Sequence, residues 1–116
     1  KKKVNQVVGN VIPSPQEVLK KGEIVNIDVA GEKDGWYGDT SRMFCVGTPS
    51  TLAQRLVHTT YEALCAGIRE VKPGATLGDV GHAIAAVAHR ENFSVVREYC
   101  GHGIGTVYHD EPQVLH

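Results

Sequence analysis

Asp28 and Asp39 flank Lys33-Asp34-Gly35, a turn signal between two runs rich in β-branched and aromatic residues. A hairpin closed by a two-residue loop at Lys33-Asp34 would put Asp28 directly opposite Asp39, and any even loop length keeps both on one face. Directly opposed carboxylates repel unless one takes a proton or a cation sits between them, and a hard divalent cation is the usual solution. On the first arm Val25, Ile27 and Val29 form the apolar face, which leaves Asp28 on the other face with Ile24 and Asn26. Taken alone, such a hairpin is more simply a solvated face carrying two ordinary acids.

A second group follows much later, in Tyr99-Cys100-Gly101-His102-Gly103-Ile104-Gly105 and Tyr108-His109-Asp110-Glu111-Pro112. Glycines on both sides of His102 free the backbone to bend around a ligand, and imidazole with carboxylates is ordinary first-row metal chemistry. A lone glycine-flanked histidine is more often structural or merely exposed, so the two groups carry weight only together.

The elements that must position these residues are strands, then two helices, then more extended chain. Val4 to Val8 and Glu23 to Val29 read as strands, separated by Ile12-Pro13-Ser14-Pro15, whose prolines exclude a continuous ladder. Trp36 to Val46 is the second arm of the hairpin, stopped by Gly47-Thr48-Pro49. Ser50 is the expected N-cap of a helix with Leu52, Leu56, Val57, Leu64, Ile68 and Val71 at helical spacing, ended by Lys72-Pro73-Gly74. Thr76 with Asp79 resembles a capping box opening a second helix, expected to bury Leu77, Val80, Ile84 and Val87. Phe93 to Arg97 is again strand-like, and Cys100 to Gly105 reads as an irregular glycine loop where backbone approaches something closely. The fold class is α/β of the α+β type, an antiparallel sheet covered by two amphipathic helices.

Composition narrows the rest. A chain of 116 residues with 41% apolar content makes a single domain, residues 1–116, and a net charge of −1 argues against a nucleic-acid or anionic-membrane partner. No stretch has the apolar length to cross a bilayer, and the lysine-led start lacks the apolar core of a signal peptide, so a soluble cytoplasmic protein is expected. Cys45, Cys65 and Cys100 have no C-x-x-C spacing and read as reduced, mostly buried thiols.

Three stretches together resemble the pita-bread metallopeptidases, and within them the type I methionine aminopeptidases. They are Ile24-Val25-Asn26-Ile27-Asp28-Val29, Asp34-Gly35-Trp36-Tyr37-Gly38-Asp39-Thr40-Ser41, and Val95 to Gly105 running on through His109-Asp110-Glu111-Pro112-Gln113-Val114. The resemblance implies about half of a pita-bread fold. It implies that Asp28 chelates one metal, Asp39 bridges two and His102 binds the other, with cobalt, manganese, iron or zinc as the divalent cation. It further implies that His109 is catalytic in holding the scissile peptide and that Tyr108 lines the pocket for the methionine side chain. The substrates would be peptides beginning with methionine.

Departures from the family pattern qualify this. Two metal-binding glutamates expected downstream of the His-Asp-Glu-Pro segment do not occur in this sequence, and Asn10 stands where a substrate-contacting histidine is expected. Lysines before Val4, and Gly31-Glu32 in the hairpin, make positions polar that the family keeps small or aliphatic. The element order is one repeat's worth of the two-half fold, permuted, with Gly9-Asn10-Val11-Ile12 faintly like Gly101-His102-Gly103-Ile104. An excised and resurfaced fragment and a divergent natural relative both fit. Two expectations follow, an aminopeptidase by family and, for this polypeptide alone, a catalytically silent unit that binds metal weakly and pairs as a homodimer.

Overall fold

The computed structural model describes residues 2–7 and 11–116. Its elements, in chain order, are β1 (Lys2–Val4), β2 (Ile24–Lys33), β3 (Trp36–Cys45), α1 (Thr51–Glu70), α2 (Leu77–Arg90), β4 (Gly101–Gly103) and β5 (Asp110–Val114). Two helices and antiparallel strands confirm the expected fold class. The chain divides into two compact units, Lys1–Gln54 and Arg55–His116.

The first unit is a three-stranded antiparallel sheet in the order β1-β2-β3. Its long hairpin turns at Asp34 and Gly35, both at positive φ (54° and 84°), the backbone of a two-residue type I′ turn whose twist matches that of the strands. Glu32 closes it, its carboxylate accepting the Gly35 N–H at 3.0 Å. The loop is therefore Asp34-Gly35, one residue later than expected, and Lys33 pairs with Trp36. Ile24 and Val25 are buried at the base of β2, while Val29 and Trp36 toward the tip are exposed. Of the strand expected over Val4 to Val8, Val4 lies in β1, which ends there as Asn5 turns out of it at φ 51°, and Val8 lies outside the described residues.

Ser50, still in the first unit, accepts the Ala53 N–H at 3.2 Å, the expected cap of α1, whose body from Arg55 onward opens the second unit. The buried face of α1 is Thr59, Ala63 and Gly67, whereas Leu52, Leu56, Leu64, Ile68 and Val71 are exposed. Small residues line the contact because the helices meet closely there: a Cβ at Gly67 would stand 2.8 Å from Ile84 Cδ1 and 2.9 Å from its Cγ1. On α2, Gly81, Val87 and Ala88 are buried; Val80 and Ile84 are half-buried and Leu77 is exposed. Arg55 ties the start of this unit to the end of α2, bonding the Glu91 carbonyl at 3.1 Å and lying over the Phe93 ring at 5.6 Å.

Phe93 to Arg97 forms no ladder among the described residues, since β-branched composition favours a strand only where a neighbouring strand is there to pair. The expected loop at Cys100 is instead the short strand β4, paired with β5. The close backbone approach is real: a Cβ at Gly103 would collide with the Glu111 carbonyl oxygen. The three cysteines are free, with Cys45 exposed and the others half-buried rather than buried. Among the described residues no helix is long and apolar enough to cross a membrane.

The capping box of α2 is complete. The Thr76 N–H and hydroxyl donate to Asp79 Oδ2 at 2.7 and 2.8 Å, and the Asp79 N–H returns a bond to Thr76 Oγ1. The backbone bond from Thr76, then its hydroxyl, hold the Asp79 carboxyl below its ordinary pKa. A carboxylate with a depressed folded-state pKa contributes stability above its unfolded value and loses it as pH falls through the folded one. The stability difference between wild type and Asp79→Asn is therefore expected to shrink on acidification below about pH 3.9, read by helical circular dichroism, and Thr76→Ala should cost about 1 kcal/mol at neutral pH.

Gly67 offers a second check. Replacing it with leucine should destabilise the chain by about 1–3 kcal/mol through overpacking against Ile84, outweighing the roughly 1 kcal/mol that a helix gains on losing a glycine. Denaturant unfolding measures the net, and an unchanged or raised midpoint would contradict the packing described.

Candidate metal centre

The turn decides which side chains meet on the hairpin. With Lys33 opposite Trp36, Asp28 faces Ser41 and Asp39 faces Ala30. The direct opposition of Asp28 and Asp39 is thus corrected to a diagonal relation on the same face, which they share with Ile24, Asn26 and Met43. Asp28 is half-buried and Asp39 exposed. Diagonal positions in an antiparallel pair lie about 7–8 Å apart, so two ionised carboxylates are tolerated there without a cation between them. Repulsion therefore no longer demands a metal. The spacing still lets two side chains lean toward one ion, and a hydrogen bond beside them shows such a lean: the Ser41 hydroxyl donates to Asn26 Oδ1 at 3.0 Å.

In the second unit His102 lies in β4, opposite Gln113, and the ladder breaks between His102 and Gly103, whose partner is Asp110. His102 Nδ1 lies 2.8 Å from the Gly103 carbonyl oxygen. A carbonyl only accepts, so Nδ1 carries a proton in this contact. Metal-binding histidines commonly anchor one ring nitrogen in this way. His109 packs edge-on to His102, with ring centroids 4.5 Å apart, and Tyr108 stands 4.2 Å from His109 and 5.9 Å from His102. His102 and Tyr108 are half-buried and His109 is exposed, so the aromatic trio offers a recessed imidazole edge with an accessible one beside it.

The structure thus brings Asp28 and Asp39 onto one sheet face and gathers His102, Tyr108 and His109 into one ring cluster. Asn10 lies outside the described residues. No group of three or more His, Cys, Asp and Glu side chains converges into a metal cage among the described residues. By donor chemistry the residues of each unit are of types that divalent cations take as ligands: two carboxylates on one sheet face in the first, and in the second an imidazole whose Nδ1 is anchored by its own strand. Sequence reasoning missed the Asn26–Ser41 bond. The Asp34-Gly35 dipeptide, a stronger type I′ signal than Lys33-Asp34, would have placed Ser41 opposite Asp28 and brought it into view.

Residues 3–116 match the model of metallopeptidase family M24. Methionine aminopeptidase from Escherichia coli strain K12 is 54% identical over 113 residues, covering 97% of this chain and 43% of that protein. The crystal structure of methionine aminopeptidase from Rickettsia prowazekii superposes with a TM-score of 0.94 at 53% identity, over 98% of this chain and 46% of that one. The corresponding enzyme from Thermotoga maritima gives a TM-score of 0.95 at 38% identity, with the same coverage. The chain spans under half the length of these relatives, and it belongs to metallopeptidase family M24.

Proposed function

We propose that residues 1–116 are one partial pita-bread domain carrying part of the metal and substrate site of a methionine aminopeptidase. The observation that carries this reading is the 54% identity to such an enzyme, which extends over 97% of the chain and so takes in both units. Asp28 and Asp39 would hold the metal side of the site through their carboxylates, and His102 through Nε2. His109, the exposed ring of the trio, would donate a hydrogen bond to the scissile peptide. Tyr108 would present its ring to the methionine side chain, and Asn10 would offer its amide to the substrate where the family has a histidine. A divalent cation, whether cobalt, manganese, iron or zinc, would polarise the carbonyl and activate water when bound. Three free cysteines fit work in the reducing cytoplasm.

A second reading has an observation of its own. Tyr61, Leu64 and Ile68 on α1, with Val71 just past its end, stand at spacings of three and four residues and are all exposed. A polypeptide limited to these 116 residues would cover such a stripe by pairing as a homodimer, acting as a structural unit without turnover.

Two outcomes are expected of that polypeptide. It should release no methionine from a short methionyl peptide at a rate approaching that of a complete enzyme, because two glutamate ligands of the family, one of them the general base, are not among its residues and Asn10 stands in place of a substrate-contacting histidine. Steady turnover abolished by a chelator and by Asp39→Ala would overturn this.

Manganese or cobalt should be lost on dialysis, since three ligands shared between two metal positions bind more weakly than three convergent on one. Isothermal calorimetry that instead found tight stoichiometric binding, lost in His102→Ala, would show the ligand set to be complete.

A further inference from the structure

The face that carries Asp28 and Asp39 has an order that the ladder makes explicit. Asn26 faces Met43, Asp28 faces Ser41, and Ala30 faces Asp39, one row after another toward the turn. Ser41 reaches across its row to Asn26, a diagonal hydrogen bond of 3.0 Å. Asp28 and Asp39 lie on the next diagonal, parallel to the first and displaced by one row. Asparagine and aspartate side chains have the same length, so the bonded pair is a ruler for the carboxylate pair. On this face, in this direction, short polar side chains on neighbouring strands come within bonding reach.

We propose that Asn26 and Ser41 form a positioning pair that holds Asp28 and Asp39 at a separation one divalent cation can span. The proposal rests on the reading of Asp28 and Asp39 as metal ligands. The mechanism is local twist. A hydrogen bond across one diagonal draws the two strands into the sense of rotation that shortens it, and the next parallel diagonal shortens with it. Ser41 is small and directly opposite Asp28, so it does not fill the space into which Asp28 must lean. Ala30, opposite Asp39, does the same for the other carboxylate. A serine hydroxyl has one proton, and here it is committed to Asn26; toward any other neighbour Ser41 can only accept. The pair therefore shapes the site without donating that proton to either carboxylate and without competing as a charged ligand.

The test uses the 116-residue chain and two measurements. In the metal-free chain, nuclear Overhauser contacts between the β-protons of Asp28 and Asp39 report their approach. Manganese affinity, read from the free-ion signal in electron paramagnetic resonance, reports the consequence. Ser41→Ala and Asn26→Ala should each lose the cross-strand contact and weaken manganese binding about tenfold, as loss of a group supporting a metal ligand does. The double substitution should be no worse than either alone, and Ser41→Thr, which restores the hydroxyl, should keep both signals. Where an alanine variant does not fold, Asn26→Ser carries the same expectation, being polar but too short to reach Ser41. Retention of the contact and of wild-type affinity in folded Ser41→Ala would overturn the proposal. Asp39→Asn separates the two readings. If it leaves manganese binding unchanged, the ligand assignment fails while the proton contacts still decide the brace. If it abolishes binding that Ser41→Ala leaves intact, only the brace fails.

Discussion

A strand can reverse after two residues without splaying its neighbours only when both turn residues take positive φ, and here Asp34 and Gly35 do so at 54° and 84°. Everything on the hairpin face follows from that pair of dihedrals. They place Lys33 against Trp36 and, by strict alternation, Asp28 against Ser41 and Asp39 against Ala30. Moving the loop by one residue changes every partner by two positions without changing any side chain's face. The carboxylates would then oppose one another directly, and their repulsion would weaken the sheet it depends on. The observed turn converts a conflict into a shared boundary, with each acid opposite a small, uncharged neighbour.

The second unit is governed by close approach rather than by a turn. At Gly67 the backbone of α1 comes within side-chain range of Ile84, and at Gly103 the backbone of β4 lies against the Glu111 carbonyl. At each place the missing Cβ lets one element lie nearer another than a substituted residue would allow. The contact at Gly103 coincides with the break in the β4–β5 ladder beside His102, whose imidazole packs against Tyr108 and His109. Packing and site are therefore the same feature seen at two scales.

Much of this was legible from residue types. Alternation placed Asp28 with Asn26 and Ile24 rather than with Val25, because a period of two holds whatever the register. The capping box of α2 was legible because its two partners are three residues apart and need no tertiary information. The hairpin register was not, since Lys33-Asp34-Gly35 contains two candidate two-residue loops. The buried face of α1 was missed for a different reason. Periodicity is carried by large apolar residues such as Leu64 and Ile68, whereas the contact is made by Thr59, Ala63 and Gly67, whose value is that they are small. Phe93 to Arg97 has the composition of a strand, but pairing is a property of two segments and composition describes one.

The bond between His102 and the carbonyl of the very next residue has a thermodynamic corollary. A ligand side chain ordinarily surrenders rotational freedom when it captures an ion, and that loss is subtracted from the affinity. His102 has already made part of this surrender to its own backbone, within one peptide unit. Its readiness therefore travels with β4 itself. A cation that came to this ring would gain its attraction with that part of the histidine's ordering already done.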